Sequence, residues 1–341
     1  MGLARRARVK ILYDGQDTGL SEKALSVSYT DNAEGKSDDV RVTLEDRDLK
    51  WIEGKNSLPE IGHELDLTIY LDHWDTDLDM QSYHVGKFVI DDITLSHGAA
   101  GTVTLGAVSM PADEGFNSVW RSETWNKVTL KQLAQEIMAR YGMEKLFWYG
   151  EEQILEAVEQ QNESDGAFLK NQCDKQGLCL KVYKTGLVIF DKRLYESRGF
   201  KYLFTRYDTE SISYNRTLFG TYTGGEVKYT KSGGKESEAK TIDVMVGTPE
   251  RLLRLNQSVQ DEEEARKLAI ARVNEANEKA ETVSLTVIPQ TILYASDNFF
   301  LDRMGVMDGK YFTQSVTHNI GGGRYSANGL DLFCRVNHKR E

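Results

Sequence analysis

Alternation of apolar and polar residues with a period of two runs through the first third of the chain. Val9, Ile11 and Tyr13 alternate with other residues before a turn at Asp14-Gly15, and Leu25, Val27 and Tyr29 alternate ahead of a polar loop over 30–39. Val40, Val42 and Leu44 continue the pattern, followed by 65–71, 83–90, 93–95 and 103–107, each bounded by Gly- or Asp-containing turns. About seven short strands with no convincing helix predict a barrel or sandwich over residues 1–112.

The period then lengthens. Thr129 and Gln132 form a capping box, and Leu130, Leu133, Ala134, Ile137, Met138 and Tyr141 recur at helical spacing until Gly142. A second helix opens at Ser164 or Asp165, buries Phe168, Leu169 and Cys173, and stops at Gly177. Leu178, Leu180 and Val182 face one way on a strand, a turn follows at Lys184-Thr185-Gly186, and 187–190 returns. Residues 113–200 are therefore expected to form a mixed α/β unit, with its boundary at Asp113-Glu114-Gly115-Phe116-Asn117.

Strands resume at 211–214, 217–222 and 227–230, then at 241–246 beyond a Gly-, Ser- and charge-rich loop over 231–240. Asp261 with Glu264 starts a helix over about 261–279, carrying Ala265, Leu268, Ala269, Arg272, Val273 and Ala276 on one face. Alternation returns at 282–288, 311–319 and 330–336. Residues 201–341 read as a second barrel with an inserted helix, so the fold class is α+β.

Composition narrows the function. With 341 residues, 40% hydrophobic and 28% charged, the chain suits two or three folded domains. A net charge of −11 disfavours a protein that grips phosphates, and the basic start at Arg5, Arg6, Arg8 and Lys10 reads as a charged strand face or tail. No apolar run approaches the roughly 20 residues of a membrane span, and 1–10 lacks a signal-peptide core, so no membrane anchor is expected and folding is expected in the cytosol. Cys173, Cys179 and Cys334 stand singly, as packed thiols do.

Candidate chemistry does not assemble into a site. Asp75, Asp77 and Asp79 begin like a calcium loop, but Met80 occupies the glycine position and Gly86 the bidentate carboxylate position. His63, His73, His84 and His97 lack ligand spacing. Gly321-Gly322-Gly323 is followed by a strand where a phosphate loop needs a helix, and no Gly-x-Ser-x-Gly nucleophile signature occurs. Trp120, Trp125 and Trp148 are read as packing residues. No catalytic, cofactor-binding or metal-binding residues are assigned.

The motifs carry a resemblance. Gln160-x-Asn162-Glu163-Ser164-Asp165-x-x-Phe168-Leu169 followed by Gly177-Leu178 resembles the middle segment of the phage late control D family, the baseplate hub proteins of phage tails. The tube-like N-terminal part of type VI secretion spike proteins is similar. Tyr29-Thr30-Asp31, Gly35-x-Ser37-Asp38-Asp39, Leu44-Glu45-Asp46-Arg47-Asp48 with Trp51, Gly86-Lys87-Phe88-Val89-Ile90-Asp91-Asp92 and 104–109 resemble its first barrel. Asp308-Gly309-Lys310-Tyr311 and Ser315-Val316-Thr317-His318 resemble its second. Gly62-His63-Glu64-Leu65 and Ser296-Asp297-Asn298 depart from the pattern, leaving the path of 293–304 open.

The resemblance implies a structural, non-enzymatic hub made in a bacterial host cytoplasm and placed in the tail baseplate of a phage or another contractile injection system. It implies a homotrimer whose two similar barrels per chain make a pseudo-sixfold adaptor between tail tube protein and central spike. Other baseplate proteins would be neighbours, and DNA only passing cargo through an acidic lumen. That role requires two cylinders that superpose; a single sheet system, or cylinders that do not superpose, would overturn it. A tail-associated cell-wall hydrolase and a carbohydrate-binding module remain alternatives.

Overall fold

The computed structural model describes residues 6–336 except 56, 74–78, 99–100, 110–114, 184, 232–239, 257–258, 260–261, 288–291 and 322–326; for 229–231, 240–244 and 327–336 it describes the backbone alone. Asp75, Asp77, Asp113, Glu114, Lys184, Asp261, Gly322, Gly323 and the Cys334 side chain thus lie outside the described residues.

The first alternating region forms β1 (Arg6–Tyr13), the one-turn helix α1 (Leu20–Lys23), β2 (Ala24–Asn32), β3 (Asp39–Asp46), β4 (Glu64–Asp72), β5 (Met80–His97) and β6 (Gly101–Val108). Every second residue points into one core, where Val27, Tyr29, Val42, Leu65, Leu67, Phe88 and Leu105 are buried. Two expectations change. The runs at 83–90 and 93–95 are one 18-residue strand, because the extra residue Asp91 bulges and re-aims the chain without ending it. Leu25 is 40% exposed, since a bulge between Ala24 and Ser26 takes it out of the alternation. Arg6, Arg8 and Lys10 lie exposed on β1, and Arg8 donates to Asp72 at 2.7 Å.

The middle region forms α2 (Gly115–Ser118), β7 (Trp120–Thr129), α3 (Leu130–Arg140), β8 (Lys145–Tyr149), β9 (Ile154–Ser164), α4 (Asp165–Lys175), β10 (Leu178–Tyr183), β11 (Gly186–Asp191) and α5 (Lys192–Ser197). The Thr129–Gln132 capping box is present in both directions, and Ser164, not Asp165, caps α4 through the Ala167 N–H. Gly142 and Gly177 take the positive φ that follows a helix end. A three-stranded sheet, β10-β11-β8, packs with α3 and α4 around Leu133, Ile137, Phe168, Leu169 and Ile189. The antiparallel ribbon of β7 and β9 is an addition to the sequence reading.

The last region forms β12 (Tyr202–Phe204), β13 (Thr209–Arg216), β14 (Gly224–Lys231), β15 (Lys240–Gly247), β16 (Leu252–Leu255), α6 (Glu262–Asn277), β17 (Glu281–Val287), β18 (Asn298–Leu301), β19 (Gly309–Gly321) and β20 (Ala327–Val336). The expected strand at 217–222 is a turn in which Thr217 accepts from the Phe219 N–H and Thr221 donates to the Leu218 carbonyl. Such local side-chain bonds compete with a ladder. The inserted element is more than a helix: α6 lies on its own small sheet, β15-β14-β16, burying Val227, Ala265, Leu268 and Ala269. Gly225 allows this close approach, because a Cβ there would meet Val273 Cγ2 at 2.8 Å.

The two expected barrels are one twelve-stranded sheet. Its order is β1-β4-β5-β6-β3-β2-β19-β20-β17-β13, with β18 on the other part of the β19 edge and β12 on β18. Neither half closes on itself through a ladder among the described residues. The reason is the length of β19: its first residues, 309–312, pair with β18, and its last, 315–321, pair with β2 along the same edge.

Candidate assembly surfaces

Within that sheet the two halves repeat each other. Starting from the outer strand, the first half runs β1-β4-β5-β6-β3-β2 and the second β12-β18-β19-β20-β17-β13, which is the same order of first, fourth, fifth, sixth, third and second strand. The ladders coincide residue by residue. Tyr29↔Val40 corresponds to Tyr214↔Val283, Val40↔Ala107 to Val283↔Cys334, Ala107↔Ile90 to Cys334↔Thr313, and Leu65↔Phe88 to Phe299↔Tyr311.

The irregularities coincide as well. Bulges follow Ala24 and Thr209 in the second strand of each half, and Ile90 and Thr313 in the fifth. Gly62 donates to the Ile90 carbonyl at 2.8 Å and Ile90 to the His63 carbonyl at 2.9 Å. In the second half Ser296 and Asp297 do the same with Thr313, both at 2.9 Å. Gly62 and Ser296 share a positive φ, so the two departures noted in the sequence are one turn used twice. Differences remain: β1 and β4 are antiparallel, β12 and β18 parallel, and the register shifts after Leu67 and after His318 have no counterpart in the other half.

Where β2 meets β19, side chains from all three regions converge. Tyr29 stacks on His318 at 5.5 Å, and the hydroxyls of Thr30 and Thr317 face each other at 3.4 Å. His318 donates through Nε2 to the Leu293 carbonyl at 3.1 Å. Its burial disfavours the charged ring and lowers its pKa to about 4. Asp31 accepts from the Ala295 N–H at 2.9 Å and from Lys181 at 2.5 Å, while Asp38 lies 3.0 Å from the same ammonium. Asp38 also accepts from the Asn32 N–H.

These three charges are all buried. Burial, opposed by the Lys181 ammonium, pushes the Asp38 carboxyl up to about 7. The two carboxylates hold Lys181 above its ordinary value against the desolvation that would lower it. One lysine on β10 thus ties the middle region to β2, and Asp31 carries the tie on to 295. A neighbouring pair, Lys192 with Glu34 and with Glu278 at 2.7 Å, joins the same three regions.

The remaining motifs also have structural jobs. Asp165 is fully buried and accepts from Tyr141 at 2.8 Å, Gln160 at 2.9 Å and Arg140 at 3.3 Å, so the 160–165 motif locks β9 to α3. Asp46 accepts from the Trp51 and Ile52 N–H groups at 3.1 Å and fixes the turn that buries Trp51. Trp125 stacks on Phe168, whereas Trp120 is 65% exposed. Cys173 and Cys179 are buried free thiols, raised by desolvation.

The histidines stay apart. His63 contacts Asp14 at 2.6 Å and His84 contacts Asp66 at 2.7 Å. Asp79 accepts from Gln81, and no cluster of potential metal ligands occurs among the described residues.

Asp31 and Asp38 lie in the Tyr29–Asp31 and Gly35–Asp39 motifs, but no local pattern in the sequence points to their partner. Lys181 alternates with Leu180 and Val182 as a solvent-facing residue would, yet β10 is buried over 178–181. The repeat did have a signal in the sequence: Ser26-Val27-Ser28-Tyr29 against Ser211-Ile212-Ser213-Tyr214, and Gly86-Lys87-Phe88 against Gly309-Lys310-Tyr311.

This fold is shared with solved tail proteins. It superposes on a 43 kDa tail protein of prophage MuSo2 from Shewanella oneidensis (TM-score 0.73, 16% identity, 97% of this chain and 98% of that one). A tail protein of Neisseria meningitidis gives TM-score 0.74 at 9% identity, covering 97% of each. An E. coli type VI secretion component gives 0.57 at 12% identity, over 97% of this chain and 77% of that one.

The curated relative is more specific: a "Probable baseplate hub protein" of Escherichia phage 186 is 28% identical over 176 residues. The match covers 51% of this chain and 42% of that protein, so it spans less than half the relative. No family model matches the chain. The resemblance to baseplate hub proteins therefore stands on a sequence relative as well as on a shared tail-protein fold.

Proposed function

We propose that this chain is a structural baseplate hub whose two halves act as equivalent tube-forming modules, three copies making a pseudo-sixfold ring between a sixfold tail tube and a threefold spike. The observation that carries the reading is the repeat of strand order, ladder and bulges between residues 6–108 and 202–336. On sequence grounds a single sheet overturns an adaptor built from two separate cylinders, and that form of the reading is replaced. The form proposed here rests on the sheet being two copies of one module joined at β2 and β19, as neighbouring modules of a continuous ring would be.

Residues 1–112 and 201–341 are assigned as the ring modules, closing into barrel-like cylinders through neighbours, and 113–200 as the middle unit. The insertion over 224–277 lies between strands two and three of the second module, where the first has only a loop over 33–38. Heterologous head-to-tail contacts close such a ring when the rotation per copy divides a full turn. Tube, spike and other baseplate proteins are the proposed partners, and DNA passes through without being bound. Native mass spectrometry of the chain co-expressed with proteins encoded beside it should give three copies per particle. Persistent monomers in that setting contradict the proposal.

A further inference from the structure

The repeat leaves two edges with no counterpart to the internal joint. In the second half, 315–321 of β19 are covered by β2 of the first half. The equivalent segment of the first half, residues 92–98, follows the same bulge and the same pair of bonds to the preceding turn. Its strand residues pair with β6 on one edge, and no described strand covers the other. Over 94–97 every residue is exposed, Leu95 at 45%. The equivalent of β2 is β13, which pairs with β17 on one side only among the described residues. Exposed edges of this length invite another strand, and backbone ladders are the usual means of such addition.

We infer that the outer edge of β13 in one copy pairs antiparallel with residues 92–97 of β5 in a second copy, repeating the β2–β19 joint between chains. The internal register fixes the external one. His318↔Tyr29 becomes Leu95↔Tyr214, Thr317↔Thr30 becomes Thr94↔Asn215, and Val316↔Asp31 becomes Ile93↔Arg216. The half-buried Tyr214 then covers the exposed Leu95, as Tyr29 covers His318. Exposed Arg216 arrives beside Asp91 and Asp92, where the internal joint has Asp31 and no arginine. That charge difference distinguishes the two joints and sets which edge meets which. The occupant, a second copy, rests on the ring reading; the register does not.

The test is disulfide trapping. Chains carrying Thr94→Cys are mixed with chains carrying Asn215→Cys under mild oxidation, with the unsubstituted chain as background. The Thr30→Cys/Thr317→Cys double variant is the internal geometric control. The expected result is an intermolecular disulfide at 94/215 comparable in yield to the control, and about ten-fold less for Thr94→Cys with Ser213→Cys, because diagonal positions hold Cβ atoms too far apart. A stronger 94/213 than 94/215 product overturns the register. Three-copy particles that cross-link at neither pair overturn the edge pairing and leave the ring standing. Open-ended series linked through 94 and 215 in a chain that carries both Thr94→Cys and Asn215→Cys keep the pairing and overturn the ring, and an uncross-linked monomer overturns both.

Discussion

Replacing Lys181 with Met removes the cation shared by Asp31 and Asp38 and leaves two buried carboxylates facing each other. The side chains of all three are at most 8% exposed, so water does little to screen the change. Breaking a buried pair from one side costs about 3–5 kcal/mol, mostly the charge left uncompensated. The sign with pH follows from the carboxyl groups. A carboxyl whose folded pKa lies above its unfolded one favours folding when protonated, so its contribution falls as pH rises from the unfolded value near 3.8 toward about 7. Without the ammonium, the folded value rises further.

The deficit of Lys181→Met relative to the parent should therefore be small near pH 4–5 and full by pH 8. Adding Asp38→Asn removes one of the stranded charges and should recover part of the loss, with a coupling of about 1–3 kcal/mol. The assay is equilibrium denaturation at both pH values, followed by tryptophan fluorescence and by hydrogen exchange of β2 and β10. A cost below about 1 kcal/mol at pH 8, or a deficit that grows on acidification, refutes the reasoning.

Other consequences are open to measurement. His318 titrates at about 4 when folded, so as pH falls from 6.5 toward 4 the unfolded state takes up the proton first and stability drops by up to about 3 kcal/mol; His318→Asn should flatten that slope in denaturation curves. Ser164→Ala removes the cap of α4 and should cost about 1 kcal/mol, and Asp165→Ala should cost several-fold more because Arg140 loses its buried partner; thermal unfolding by circular dichroism ranks them. Gly225→Val drives a side chain into Val273 and Ala269 and should lower exchange protection in α6 while leaving β2 and β19 protected.

Much of the architecture was legible because alternation and capping are local. Thr129, Ser164 and the buried alternate positions of β2 to β6 needed only their neighbours in sequence. The failures have physical causes. Bulges at Leu25 and Asp91 break the period without ending the strand, so one strand looks like two and Leu25 falls out of the alternation. The β7–β9 ribbon carries few apolar residues and is largely exposed, which leaves little pattern to read. Lys181 follows the rule for a solvated face, and only the tertiary placement of Asp31 and Asp38 makes it an interior residue. Sheet continuity at β2 and β19 depends on residues nearly 290 apart, as the Thr30–Thr317 pair shows, and no local signal encodes it.

The claim on which the account turns is that the two halves are equivalent modules, so that a threefold particle presents six. Electron-microscope averages of the assembled chain viewed down its axis measure this directly. The account predicts a closed particle of three chains with six similar densities around the lumen; three lobes with no sixfold modulation, or a ring of any other copy number, would contradict it.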